Sequence, residues 1–186
     1  MRNRLLMPLA VLAACAQEEP YGPIPGVYPI VPAPDLDDLG CEAMNKGAFT
    51  FDDDAQVVAR GDRDTRRIDT WKMTSQGETY RWDLDSPDCE VTIPAADANP
   101  NLPSWSCALG DAQYFYEQGQ YKMTVDAAQR VDGAWVDEDH LELWSVEIIL
   151  GCVDGDCFNF DGWAEAIGTT MPCENRFGYQ ATWAPG

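Results

Sequence analysis

The sequence predicts an all-β domain: an antiparallel meander, closed as a small barrel or folded as a two-sheet sandwich, and stabilised by disulfides. Three observations carry this. Apolar residues alternate with polar ones: Tyr80, Trp82 and Leu84 with Thr79, Arg81 and Asp83; Tyr121, Met123 and Val125 with Lys122 and Thr124; Phe177, Tyr179, Ala181 and Trp183 with Arg176, Gly178, Gln180 and Thr182. A period of two is the mark of a strand with one buried face. Turn-forming pairs separate the runs, at Gln76-Gly77, Gly110-Asp111, Gln118-Gly119, Asp132-Gly133 and Asp154-Gly155. No segment keeps a 3.6 period over three turns; only 108–113 and 126–131 leave room for a short helical turn. About eight to ten strands joined by short turns follow from this spacing.

The chain divides into three parts. Residues 1–14 read as a signal peptide: Arg2 and Arg4, then an apolar run from Leu5 to Ala14 that ends in small residues. That run is far below the ~20 residues that cross a bilayer. Residues 15–40 read as Cys15 followed by a tether with six prolines between Pro20 and Pro34. Proline fixes φ and removes a donor, so this segment is expected to be an extended stalk without a helix or a central strand. Its apolar residues, Tyr21, Val27, Tyr28, Ile30 and Val31, leave room for part of it to dock along the domain. Residues 41–186 are long enough for one compact β domain.

Within that domain the run from Leu141 to Leu150 is its expected centre. Its apolar phase shifts between Leu143 and Trp144, which implies a bulge or burial on both faces. The run through Tyr179 and Trp183 is expected to close or edge the sheet.

Leu12-Ala13-Ala14-Cys15 resembles the lipobox of bacterial lipoproteins. The resemblance covers the first 15 residues and implies that Cys15 is lipidated and becomes the mature N-terminus. It implies an exported, lipid-anchored cell-envelope protein, and Ala16 after the cysteine implies sorting to the outer membrane. Cysteine parity agrees. The chain has seven cysteines, and lipidating Cys15 leaves an even set: Cys41, Cys89, Cys107, Cys152, Cys157 and Cys173. In an exported chain these read as three disulfides. Cys152–Cys157 would close a small loop, Cys89–Cys107 comes next, and Cys41–Cys173 remains to tie the ends. Zinc is disfavoured, because there is no C-x-x-C pair and His140, the only histidine, is far from any cysteine in sequence.

The formal net charge is −20, with 21 aspartates, 11 glutamates and three lysines. Such a surface repels nucleic acid and anionic headgroups and suits basic partners or solubility in salty surroundings. Arg60, Arg63, Arg66 and Arg67 form the one local basic patch, a candidate grip for an anionic partner unless Asp62, Asp64 and Asp69 neutralise it. Asp154, Asp156, Asn159 and Asp161 could offer oxygens to calcium, although Phe158 and Gly168 break the EF-hand pattern. The plainer reading of that segment is a disulfide-closed, acidic hairpin tip. His140 and Glu142 would share a strand face and could share a metal. Trp105, Tyr114 and Tyr116 are either core or the lining of a ligand mouth.

The chain lacks Gly-x-Ser-x-Gly, a phosphate loop and a dinucleotide fingerprint, so no catalytic residues and no cofactor are expected. The expected role is a non-catalytic binding or interaction module for an envelope protein, a glycan or an apolar ligand. One alternative is a carrier of an apolar ligand in a barrel that resembles the lipocalin plan, although Gly47-Ala48-Phe49 is a poor substitute for the lipocalin Gly-x-Trp motif. The other alternative is an enzyme built on paired carboxylates.

Overall fold

The computed structural model describes residues 22–41, 50–62, 67–75, 78–83, 89–92, 94, 102–118, 121–160, 162, 164 and 169–186. They form an all-β fold, a single curled antiparallel sheet shaped as a half-barrel and held by three disulfides. The strands are β1 (Gly26–Pro32), β2 (Asp38–Leu39), β3 (Gln56–Asp62), β4 (Arg67–Ser75), β5 (Glu78–Asp83), β6 (Cys89–Thr92), β7 (Ser104–Gln118), β8 (Tyr121–Trp135), β9 (His140–Gly155) and β10 (Cys173–Thr182). Their order across the sheet is β5-β4-β3-β1-β10-β9-β8-β7-β6, with β2 paired to β10. Two meanders, β3 to β5 and β6 to β10, are therefore joined side by side through β1.

That junction corrects the expectation for the proline-rich segment. Residues 26–32 are a central strand, with Tyr28 and Ile30 buried in the core. The first half of β1 pairs with β3, Gly26↔Ala59 to Pro29↔Gln56, and the second half pairs with β10, Ile30↔Ala181 to Pro32↔Tyr179. Alternation along the strand explains why the prolines fit. The Ile30 N–H donates to the Ala55 carbonyl on the β3 side, so Pro32 also faces β3, where that ladder has ended. Pro29 faces β10 and forgoes one bond, a modest loss for a strand anchored by Tyr28 and Ile30. Residues 26–32 thus belong to the folded sheet, ahead of residue 41.

The concave face carries the core. Tyr28 and Ile30 of β1, Val57 and Ala59 of β3, Trp105 of β7, Val131 and Trp135 of β8, Leu141 and Leu143 of β9, and Tyr179 and Ala181 of β10 pack as one cluster. Tyr28 of β1 meets Trp135 of β8, three places away in the sheet, which requires the sheet to curl. Trp105 and Trp135 lie 5.1 Å apart between ring centroids, and Tyr28 meets Trp135 edge-on at 6.0 Å. Aromatic rings therefore fill the middle of the half-barrel. A second cluster lies farther along the long strands, with Tyr116, Met123, Val125, Ala127 and Ile149 under Phe160, Cys41 and Cys173.

Two expected turns are absent for identifiable reasons. Gly133 lies inside β8 beneath the indole of its cross-strand partner Trp105, where a Cβ would clash with the ring. Gly110 sits inside β7 at φ +131°, next to the register shift between Ala108 and Gly110. It is a bulge residue rather than a turn. Both stretches that left room for a helical turn, 108–113 and 126–131, are strand. β4 and β5 pair up to Ser75↔Glu78 and β7 and β8 up to Gln118↔Tyr121, while Gln76, Gly77 and Gly119 lie outside the described residues. The phase shift in the central run reflects burial on both faces. Leu143, Ser145 and Glu147 are buried on the concave side, and Val146 is buried on the convex side.

Val146 is covered by four charges. Arg130 and Arg176 flank it in register on β8 and β10. Arg130 pairs with Asp132 and Glu174, both at 3.0 Å, and Arg176 pairs with the same two carboxylates at 3.2 and 3.3 Å. Arg176 also lies 5.0 Å from the centroid of the Trp144 ring, whose Nε1 donates to the Leu36 carbonyl. The 3-10 turn Pro34–Leu36 is thereby pressed onto the convex face over Gly178, where a Cβ would meet Leu36 and the Ala33 carbonyl.

Candidate functional site

One buried polar row crosses the concave face between the two apolar clusters. Gln129 of β8, Glu147 of β9 and Asn175 of β10 stand opposite one another in register. Glu147 and Asn175 are fully buried. Asn175 accepts the Cys41 N–H at 2.7 Å through Oδ1 and donates through Nδ2 to Glu147 Oε2 at 3.3 Å. Gln129 Nε2 donates to the Tyr114 hydroxyl at 2.7 Å, and that hydroxyl also bonds to Glu147. The row therefore runs from the backbone beside the Cys41–Cys173 disulfide through a carboxylate to a half-buried tyrosine. Ser145, also fully buried, precedes Glu147 on the same face.

Burial governs the electrostatics here. It pushes the Tyr114 phenol up, and the Glu147 charge adds to the effect. Burial pushes Tyr116 further up, again reinforced by Glu147. Tyr179, whose ring meets Phe51 edge-on at 4.6 Å, is raised chiefly by burial, with a contribution from Asp37. These shifts have a defined sign. Below the ordinary phenol value of 10.0 the three tyrosines are neutral in both the folded and the unfolded chain, and their contribution to stability is intact. Above it the unfolded chain ionises first, so stability falls as pH rises towards the elevated folded values. Alkaline unfolding followed by circular dichroism is expected to set in above about pH 10. Phenolate absorbance from these three residues should appear together with the loss of structure, and Tyr116→Phe should weaken that pH dependence.

The row can hold a network in place, but one acid among amides and phenols does not form the facing carboxylate pair that a glycosidase-type mechanism uses. Sequence reasoning missed it, because Leu143-Trp144-Ser145-Val146-Glu147 reads as a strand with a polar face.

The structure places the expected site residues as follows. Of the fifteen pairings open to six cysteines, the structure has Cys41–Cys173, Cys89–Cys107 and Cys152–Cys157. Arg60 is exposed on β3, Arg67 opens β4 opposite Asp62, and Arg63 and Arg66 lie outside the described residues. Asp154 and Asp156 act as turn acceptors: Asp154 Oδ1 takes the Gly155 N–H and Asp156 Oδ2 the Lys122 N–H, both at 2.8 Å. Asn159 ends the 3-10 turn Cys157–Asn159, and Asp161 lies outside the described residues. Among the described residues no three His, Cys, Asp or Glu side chains converge as a metal site. His140 opens β9 opposite Thr182. Trp105 and Tyr116 are core, and Tyr114 is half-buried against the second cluster.

The outer face differs in character. Among the described residues β6 pairs with Ser104–Cys107, and β10 begins opposite Ile149, while β7, β8 and β9 continue beyond both. Phe115, Leu150, Val153 and Phe158 are exposed there, Phe158 almost completely at 98%. A shallow groove of about 280 Å³ lies beside β7, lined by Asp111, Ala112, Gln113, Asp126, Ala127 and Leu150. Residue 22 lies at the opposite end, where the Ile24 N–H and the Tyr28 hydroxyl both reach the Glu138 carbonyl in the β8–β9 turn. Among the described residues no helix is long and apolar enough to cross a membrane. No protein-family model, curated protein or solved structure matches this chain.

Proposed function

We propose that the protein is an exported, lipid-anchored protein of the bacterial cell envelope, most simply the outer membrane, and that its β domain is a non-catalytic binding module. The observation that carries the first half is that all six cysteines other than Cys15 pair with one another. Three disulfides suit an oxidising compartment, and Cys15 is left over in the motif that resembles a lipobox. The second half is supported by the use made of the chemically capable groups. Glu147 is engaged with Asn175 and Tyr114 inside the sheet, and Asp154 and Asp156 cap turns. Phe115, Leu150, Val153 and Phe158 are exposed together at the end of the sheet away from the β8–β9 turn, whereas Val27, Val31, Leu39 and Val136 are exposed elsewhere. The carrier reading has less support, because Tyr28, Trp105 and Trp135 occupy the middle of the concave face.

The test has two arms. Cells expressing the full chain are fed an alkyne-bearing fatty acid. Label is expected on the wild type and absent from Cys15→Ala, which should also leave the membrane fraction. An unlabelled wild type would overturn the anchor. Native mass spectrometry of the detergent-extracted chain is expected to show no bound apolar ligand. A stoichiometric apolar mass would replace the binding module with the carrier.

A further inference from the structure

We infer that the Cys152–Cys157 bridge is a thiol–disulfide exchange site, reduced by an uncharged or cationic dithiol while the other two bridges stay closed. This goes beyond the binding-module reading and does not rest on it. Three observations carry it. First, access separates the bridges. Cys41, Cys107 and Cys173 are buried, and Cys89 packs against the first core cluster. Cys152 and Cys157 are both partly exposed, and the residues between them, Val153, Asp154, Gly155 and Asp156, are all exposed. Exchange needs a thiolate to reach one sulfur and the other sulfur to leave as a thiolate. Attack on Cys89 would expel a charge at Cys107, which is wholly enclosed, and a buried charge is costly. Cys41 and Cys173 both lie inside the second cluster. Those two bridges open only when the sheet does, whereas the tip bridge needs at most a local movement.

Second, the tip is tied down without the bridge. β9 pairs with β8 as far as Met123↔Gly155. The Asp156 N–H donates to the Lys122 carbonyl at 2.9 Å, and the Lys122 N–H donates to Asp156 Oδ2 at 2.8 Å. The bridge adds the link from Cys152 to the 3-10 turn Cys157–Asn159. Its reduction therefore frees that turn, which carries Phe158, and leaves the sheet in place. A sequence separation of 5 keeps the two thiols close, so the reverse exchange re-forms the bond. Third, charge selects the reductant. Asp154 and Asp156 lie inside the loop that the bridge closes, and Lys122 is already paired with Glu117 at 3.2 Å. An attacking thiolate is itself an anion, so further carboxylates on the reductant add repulsion and an ammonium offsets it.

The attacked sulfur is that of Cys157. Cys152 packs against the second cluster, whereas Cys157 stands between exposed Asp156 and exposed Phe158. The incoming thiolate bonds to Cys157 Sγ, the S–S bond breaks, and Cys152 leaves as a thiolate that takes up a proton. The second thiol of the reductant then attacks the mixed disulfide and displaces Cys157, which is protonated in turn. The bridge gains two electrons and two protons, and the dithiol loses both and closes to a disulfide.

The test uses the full chain, oxidised, extracted in mild detergent, and with free thiols blocked by N-ethylmaleimide. Dithiothreitol, a neutral dithiol, is added, new thiols are trapped with iodoacetamide at intervals, and peptides are mapped by mass. Cys152 and Cys157 are expected to label together, roughly a hundredfold faster than Cys41, Cys89, Cys107 and Cys173. Amide-hydrogen exchange in the chain reduced to this point should quicken at 157–160 and stay unchanged in β7, β8 and β10. Equal labelling of the three bridges, earlier opening of another bridge, or faster exchange across the sheet would overturn the assignment. Cysteamine, 2-mercaptoethanol and mercaptoethanesulfonate then probe charge, with rates divided by thiolate concentration. Cysteamine is expected to outpace mercaptoethanesulfonate about tenfold at low salt and about twofold in concentrated salt. Asp154→Asn/Asp156→Asn, which keeps both side-chain acceptors, should remove most of that difference. The mixed disulfide with cysteamine, trapped in acid, is expected on Cys157. Equal rates for the three thiols would overturn the charge selection, and a mixed disulfide on Cys152 would overturn the choice of sulfur. These outcomes are independent of fatty-acid labelling and of a bound apolar mass.

Discussion

Replacing Cys41 and Cys173 together by alanine is expected to destabilise the fold by about 5 kcal/mol, the largest effect of any single bridge. The bond closes a loop with a sequence separation of 132, against 18 for Cys89–Cys107 and 5 for Cys152–Cys157. Restriction of the unfolded chain grows with the logarithm of loop length, which gives roughly 5, 3 and 2 kcal/mol for the three. Native contacts add to the first. Cys41 and Cys173 are buried in the second core cluster, and the Cys41 N–H is the group that Asn175 accepts. Domains of this size are stable by about 5–15 kcal/mol, so the doubly substituted chain should sit at or near its unfolding threshold at room temperature. Urea titration of the three double-alanine variants checks the order. A Cys152/Cys157 variant that loses as much as the Cys41/Cys173 variant would contradict it.

Asn175→Ala is expected to cost about 3 kcal/mol, more than its small side chain suggests. Asn175 is wholly enclosed and serves two partners at once. Its removal deprives a buried main-chain N–H of its acceptor and a buried carboxyl group of a donor, and water does not reach either. Glu147→Leu should cost less than Asn175→Ala. A double Glu147→Leu/Asn175→Leu variant should be less destabilised than the two single losses added together, because apolar groups replace both partners of the bond. The coupling from a double-mutant cycle is expected to be about 1–3 kcal/mol. A coupling near zero, measured by denaturant midpoints with unchanged m values, would show that the two side chains do not act together.

Much of the fold was legible because alternation reports which strands have one buried face. Tyr80 and Trp82 fall in β5, Tyr121 to Val125 in β8, and Phe177, Tyr179 and Ala181 in β10, while Leu84 lies outside the described residues. Errors arose where a residue type has more than one physical use. Gly133 and Gly110 look like turn glycines, yet one makes room for an indole and the other bends an edge. The prolines of β1 look like those of a stalk, yet one stands beyond a finished ladder and the other costs one bond. The buried row was not legible at all, because pairing brings Gln129, Glu147 and Asn175 together from three strands.

The split pairing of β1 has a kinetic consequence. Its first half finds β3 a few tens of residues away, but Ile30 to Pro32 must wait for β10, at the other end of the domain. The strand that leaves the ribosome first is therefore completed last. Closing so large a loop costs entropy before any contact offsets it, and folds rich in such contacts are slow. Until β10 arrives, the nascent half-barrel would expose the face that Tyr28 and Ile30 later cover. The interval between emergence of Gly26 and arrival of Ala181 is when this chain is most open to proteases and to chaperones.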